Sequence, residues 1–291
     1  GHIAYLTDIA PLDAAAVLMI GHAHMGGFGS IEGVAAAKAE IIAGLLPEGT
    51  AILNADDARC AAMAKLAPAR VLTFSAQGEP ADLQAENVVL DEAACAAFDL
   101  HLPGLDAPRR VQLAVAGAHN VANALAAAGL ALAAGLEPEL IAERLGSVSI
   151  ESPHRMDVSE LSGDLLLIDD SYNANIDSMT AALAALPALA GSRRRVVVVS
   201  EMLELGESSA ADHARTGELA AQAGAAMLIG IGSTQEALDA ARARGVEVVG
   251  FEDSATAISQ IDALLSDGDA VLVKGSNGSG AWRLADHLKE V

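Results

Sequence analysis

The sequence predicts an α/β protein of two domains, the second built on a doubly wound parallel sheet. Two observations carry the fold class. In the C-terminal half, five apolar runs are each followed by a helical pattern, and strand–helix units in succession close into a parallel sheet. The 291-residue chain is also 52 % hydrophobic with only 2 % aromatics. Its core must therefore be built from Ala, Val, Leu and Ile, which suits helices packed on strands buried on both faces. A third observation sets the domain boundary. Near residue 150, "LGSVSIESPHR" breaks the helical pattern with polar residues and Pro. Residues 1–150 and 151–291 are each large enough for a domain.

The first half reads as mixed. "AAAVLMI" is a strand, "GHAHMGGFGS" a loop, and Ser30 an N-cap for the helix "IEGVAAAKAEIIAGL". "PEG" turns the chain into the strand "TAILNAD". A short helix, "ARCAAMAKLA", leads to the strand "RVLTFSA". "ENVVL", "AAFDLHL" and "RRVQLAV" have strand character, with a hairpin-like turn between the last two. A helix runs from about His119 to Ala134. In the second half the strands "LLLID", "RRVVVVS", "AMLIGIG", "VEVVGF" and "AVLVKGS" precede the helices "SMTAALAAL", "SAADHARTGELAAQAG", "TQEALDAARARG", "ATAISQIDALL" and "AWRLADHLKEV".

The formal charge is −22, from 17 basic against 39 acidic residues. Duplex binding needs Lys and Arg to replace counterions, so nucleic acid is not the expected partner. An anionic membrane surface is not the expected partner either, on the same ground. No apolar stretch suits a membrane helix, and the N-terminus lacks the pattern of a signal peptide. Cys60 and Cys95 form neither a disulfide framework nor a C-x-x-C pair. A cytoplasmic monomer without membrane insertion is expected. The chain opens in mid-pattern without Met, as though cut from a longer one.

Several motifs carry chemistry. "AGAHNVANALAAAGL" puts His119, Asn120 and Asn123 in the first turn of a helix, with the two Asn residues three apart on one face. An Asn amide offers donor and acceptor together, matching an adenine edge; plain helix capping is the competing reading. "ILNADDARC" places Asn54, Asp56 and Asp57 at a strand end, where a turn and cap would also use them. His22 and His24 lie among glycines, and Lys38 sits on an Ala-rich helix. A lone Lys there snorkels to solvent or, with a lowered pKa, becomes nucleophilic enough to form a carbamate with carbon dioxide. "LLLIDDSYNANIDSM" ends an apolar strand in Asp169, Asp170, Ser171, Tyr172, Asn173 and Asn175, the usual ligand position of an open α/β sheet. "VLVKGSNGSG" ends another strand with Lys274 and Ser276, suited to an anion or to a tight turn. "GIGSTQ" lacks the third Gly of a dinucleotide fingerprint. None of the four lysines is followed by Ser or Thr, so these residues contain no Walker A sequence.

Taken in order, "AHMGGFGSIEGVAAAKAEI", "LNADD", "GAHNVANALAAA", "PHRM", "DDSYNANIDSM", "EMLELG" and "VLVKGS" resemble the central and C-terminal domains of the Mur ligase family. The resemblance covers essentially the whole chain. It implies a partial central ATPase-like domain followed by a Rossmann-like C-terminal domain. "DDSYNAN" with "LELG" is similar to the branch that adds D-Ala-D-Ala to UDP-N-acetylmuramoyl-tripeptide in peptidoglycan synthesis, using ATP and Mg²⁺. By resemblance, His24 and a carbamylated Lys38 hold Mg²⁺. Asn120, Asn123, His119, Arg155 and Asp170 meet ATP. Ser171, Tyr172, Asn173, Asn175, Lys274 and Ser276 meet substrate. The family's N-terminal domain and Gly-rich ATP loop are missing from these residues, which implies that the chain alone is inactive. A non-catalytic nucleotide-binding or scaffold module derived from a Mur ligase is the alternative. His154 stands where the family usually has Gly, and Ile176 where it usually has Pro.

Overall fold

The computed structural model describes residues 1–21, 30–148 and 152–290, and the chain divides into two compact units that meet near residue 150 in sequence. Each unit holds one six-stranded sheet.

The first sheet is ordered β1-β2-β3-β4-β5-β6, with β1 Leu12–Val17, β2 Leu45–Asn54, β3 Arg70–Ser75, β4 Leu83–Leu90, β5 Cys95–His101 and β6 Arg109–Ala116. β1 to β4 pair in parallel; β4-β5 and β5-β6 are antiparallel. Helix α1 is His2–Ile9, α2 Ile31–Ala43, α3 Ala58–Ala62, α4 Asn120–Ala133 and α5 Pro138–Leu145. The apolar residues of α4 and α5, among them Val121, Leu125 and Ile141, pack on Ile52, Phe74, Phe98 and Val111. A fully buried Leu or Ile of this kind contributes roughly 1.5–3 kcal/mol. The hydroxyl of Ser30 caps α2 by accepting from the Gly33 N–H at 3.1 Å, as expected. "PEG" does not precede β2 but bulges within it: Leu12 pairs with Leu45, and Ala14 already with Thr50.

The second sheet runs β11-β10-β9-β12-β8-β7, with β7 Asp157–Leu161, β8 Leu165–Asp170, β9 Arg195–Ser200, β10 Met227–Ile231, β11 Glu247–Phe251 and β12 Ala270–Lys274. The five expected strand–helix units form it, all parallel, and β7 adds an antiparallel edge. Helices α6 Ile176–Ala190, α7 Ser209–Gln222 and α8 Gln235–Arg242 cover Leu166, Ile168, Val197, Val199 and Leu272. Helices α9 Ser254–Ile258 and α10 Ala281–Glu290 cover Leu167, Val196, Val198 and Val271 on the other side. Successive strand residues alternate between these faces. "ATAISQIDALL" is shorter as a helix than its pattern suggests: α9 ends at Ile258, and one 3₁₀ turn follows at Ile261–Ala263.

Helices α1 and α5 and strand β7 are not among the elements the sequence predicts. The first two are short, and "DVSEL" in β7 is an edge strand whose burial alternates only between half-buried and exposed.

Gly217 lies inside α7 where α8 crosses. A Cβ there would stand 2.0 Å from the Ala237 carbonyl oxygen. An exposed helical Gly→Ala change gains up to about 1 kcal/mol. Gly217→Ala is expected to reverse that sign and cost roughly 1–3 kcal/mol by overpacking, read as a lower urea midpoint. A rise in midpoint would contradict this helix crossing.

Candidate active site

In the first unit, strand ends and loop backbone are tied together by side chains. Asn54 donates to the Leu18 carbonyl at 2.8 Å, and Lys38 donates through Nζ to the Met19 carbonyl at 2.8 Å. Asp57 accepts the Ile20 N–H at 2.7 Å and caps α3 through the N–H groups of Arg59 and Cys60. Burial pushes the Asp57 carboxyl up, but these three backbone donors outweigh it and hold it below the usual carboxylate range. Burial, with Asp57 adjacent, pushes the Cys60 thiol up to about 12, so it stays protonated and inert. "LNADD" therefore works as turn and cap. His24 lies outside the described residues.

Asn120 and Asn123 do share a face: Nδ2 of Asn123 donates to Oδ1 of Asn120 at 2.8 Å. Nδ2 of Asn120 donates to the Ala116 carbonyl at 2.8 Å. The pair is thus satisfied at one end, while the exposed Asn123 still offers its Oδ1 and a second N–H. His119 occupies the N-cap without a side-chain cap bond. Its ring lies against Gly117, whose φ is +108° and whose Cβ, if present, would come within 2.5 Å of that ring. Both facts demand glycine there.

In the second unit, the end of β8 organises the site. Asp169 is fully buried. Its carboxylate accepts from the Ser171 hydroxyl at 2.6 Å, from Nδ1 of His154 at 2.8 Å and from Lys289 of α10 at 2.8 Å. Lys289 also reaches Asp157 of β7 at 2.8 Å. Burial alone would push the Asp169 carboxyl up; Lys289, Ser171 and His154 outweigh it and hold it below the usual range. Burial would likewise lower the Lys289 ammonium, and Asp157 and Asp169 raise it instead. His154, Asp169 and Asp286 stand close enough for a shared cation. The Lys289 ammonium already occupies Asp169, so this cluster is an ion-pair network.

The next residue points the other way. Asp170 pairs through Oδ2 with Lys274 at 2.6 Å and accepts the Met156 N–H at 3.2 Å. Lys274 is 1 % exposed. Its other contacts are the carbonyls of Asn173 at 3.0 Å and Asp170 at 3.4 Å. An ammonium has three protons, and all three are met inside the protein. Lys274 therefore holds the 170–173 loop. Ser276 is also buried and accepts the Leu203 N–H at 3.0 Å. Asn175 caps α6 in a reciprocal box with Ser178, at 2.8 and 3.0 Å. Ile176 takes the first helical position after that cap, where Pro is merely favoured, so the box keeps the helix start without it.

Of the expected ligand-facing run, Tyr172 and Asn173 keep exposed side chains, while Ser171 turns inward to Asp169. The Arg155 guanidinium lies 4.1 Å above the Tyr172 ring centroid. Among the described residues Arg155 makes no ion pair. The arrangement offers a stacked cation, an exposed amide and a half-buried carboxylate around one loop. The hub role of Asp169, and its partners Lys289 and His154, are not legible in the sequence, because a buried acid is indistinguishable there from its half-buried neighbour Asp170.

The family model described as the Mur ligase middle domain matches residues 1–131, and that of the Mur ligase glutamate ligase domain matches residues 154–277. The chain belongs to the Mur ligase family. It is 40 % identical over 309 residues to the UDP-N-acetylmuramoyl-tripeptide–D-alanyl-D-alanine ligase of Mycobacterium tuberculosis, covering 99 % of this chain and 60 % of that protein. To the ligase of the same name from Escherichia coli K12 it is 35 % identical, covering 100 % and 63 %. The chain thus spans about 60 % of the length of these relatives. Among solved structures, a MurF from Acinetobacter baumannii superposes with a TM-score of 0.84 at 32 % identity, covering 99 % of this chain and 62 % of that one. The Thermotoga maritima MurF ligase in complex with ADP shares the fold, with a TM-score of 0.79 at 24 % identity, covering 100 % and 64 %.

The ion-pair network sets a pH dependence. Asp169 titrates below the ordinary Asp value of about 3.9 when folded, so its stabilisation is present above about pH 4 and fades as pH falls through the depressed value. Lys289 has the opposite sign: its contribution holds below about pH 10 and is lost as pH rises through the elevated value. Urea titrations across pH are expected to show this plateau. Asp169→Asn should lower it by roughly 3–5 kcal/mol and flatten the acid limb. An unchanged acid limb would remove Asp169 from the network.

Proposed function

We propose that this chain provides nucleotide- and dipeptide-handling parts of an ATP-dependent amide ligase that adds D-Ala-D-Ala to UDP-N-acetylmuramoyl-tripeptide in peptidoglycan synthesis. The observation that carries this is the loop after β8: "DDSYNAN" is folded so that Tyr172 and Asn173 are exposed, with Arg155, which makes no ion pair among the described residues, stacked on Tyr172. Identity of 35–40 % to ligases of that name along nearly the whole chain supports it.

The reaction requires activation, because a carboxylate is a poor acylating agent. The tripeptide carboxylate oxygen attacks the γ-phosphorus and ADP departs. The dipeptide amine then attacks the acyl carbon of the acyl phosphate, and inorganic phosphate leaves. In the first unit, Asn123, backed by Asn120 and beside His119, offers paired donor and acceptor to the adenine edge. In the second, Asp170 retains lone pairs suited to sugar hydroxyls, and Arg155 supplies positive charge suited to phosphate. Tyr172 and Asn173 face substrate. Ser171, Asn175, Lys274 and Ser276 serve by holding their loops through the bonds described above. Binding and orienting are the contributions these side chains make.

The described residues do not fit Mg²⁺ as they stand. Lys38 carries an amine bonded to the Met19 carbonyl, and a protonated amine repels a cation. A carbamate on its Nζ would supply the hard oxygen ligands the ion requires, and the family resemblance names His24 as its fellow ligand.

The 291 residues contain no Gly-rich loop ending in Lys-Ser or Lys-Thr, since Ala39, Leu66, Gly275 and Glu290 follow the lysines. Without that cradle the β- and γ-phosphates are neither positioned nor neutralised. This chain alone is expected to release no phosphate above background with ATP, Mg²⁺, the tripeptide nucleotide and D-Ala-D-Ala. Robust turnover would overturn that expectation. Binding is a separate matter. By titration calorimetry with ADP, Asn123→Ala and Arg155→Ala should each weaken affinity about tenfold, the size of one hydrogen bond to a charged or desolvated group. Parent-like affinity in both variants would refute the nucleotide assignment.

A further inference from the structure

We propose that His154 is a positioning residue for Arg155: its imidazole, anchored on Asp169, maintains a left-handed turn that presents the Arg155 guanidinium over Tyr172. The two residues flanking Arg155 both have positive φ, +62° at His154 and +48° at Met156. Residues with a Cβ seldom adopt this region, and His and Asn do so more readily than most. Something must therefore hold the turn.

Three bonds do so. Nδ1 of His154 lies 2.8 Å from Asp169. The Tyr172 N–H donates to the His154 carbonyl at 2.9 Å, and the Met156 N–H donates to Asp170 at 3.2 Å. Backbone on both sides of Arg155 is thereby pinned to the loop that carries Tyr172. The carboxylate of Asp169 can only accept, so Nδ1 must carry the proton. On the ring's other side, Nε2 lies 3.8 Å from Asp286, and the ring stands 6.0 Å from that of Trp282, both on α10. The imidazole thus has little room to turn. Arg155 itself is exposed and makes no ion pair among the described residues, so its stack on Tyr172 depends on the path of the backbone.

Glycine and asparagine separate positioning from mere stability. Glycine at 154 relieves the positive φ but removes the anchor. Asparagine tolerates the same φ, and its Nδ2 occupies the place of the imidazole Nδ1, so it can still donate to Asp169. The readout is the Arg155 side-chain Nε–Hε resonance of the ligand-free chain, assigned by its absence in Arg155→Ala. A proton held over the Tyr172 ring is shifted upfield by the ring current. The parent and His154→Asn are expected to show the upfield shift, and His154→Gly and His154→Ala to lose it while the chain stays folded. Absence of the shift in the parent, its survival in His154→Gly, or its loss in His154→Asn would each overturn the proposal.

That Arg155 then meets phosphate rests on the proposed ligase reading and is tested apart from it. ADP titration is expected to follow the resonance, with affinity kept in His154→Asn and reduced about tenfold in His154→Gly. If the resonance behaves as stated but ADP affinity does not change, positioning stands and the nucleotide reading falls.

Discussion

Two adjacent carboxylates end β8 and face opposite sides of the sheet, because side chains alternate along a strand. Asp169 follows Leu167 toward α9 and α10, and Asp170 follows Ile168 toward α6, α7 and α8. Each finds a lysine: Lys289 for Asp169, Lys274 for Asp170. A buried carboxylate without such a partner would cost several kcal/mol, so the two pairs are obligatory once the strand is in place. They also bind the loop after β8 to its surroundings, through Ser171 and His154 on one side and Asn173 and Met156 on the other. The loop's exposed groups inherit their positions from these two charge pairs.

This division of labour explains how so acidic a chain can present a cation. With a net charge of −22, most arginines are paired with carboxylates, as Arg193, Arg194, Arg215, Arg242 and Arg244 are. Arg155 is instead stacked on an aromatic face, which orients a guanidinium without neutralising it. The stack leaves its positive charge undiminished. The lysine that looked most like an anion binder, Lys274, is spent on the fold.

Much of the architecture was legible before any coordinates. The apolar runs of β8, β9, β10 and β12 are buried on both faces, so each reads as continuous Val, Leu and Ile. Asn120 and Asn123 share a face because helical spacing allows nothing else. What stayed hidden were short or edge elements. β7 has no fully buried residue, and α1 carries exposed Tyr5, Leu6 and Ile9. The bulge in β2 was hidden for another reason: "PEG" has turn composition whether the chain reverses or merely bows outward.

The sequence by itself determined the residue types at the site, their order, and their family, since those are properties of the chain. Which acid was buried and which half-buried depended on the strand's pairing. Lys274 meets Asp170 because parallel pairing of β12 with β8 places them opposite one another, 104 residues apart. Lys289 reaches Asp169 because α10 packs across that strand, 120 residues away. Local sequence carries propensity and periodicity. Long-range contact between charges is set only when apolar burial has closed the sheet, and only the tertiary structure could decide which polar groups stay exposed and which support the loop.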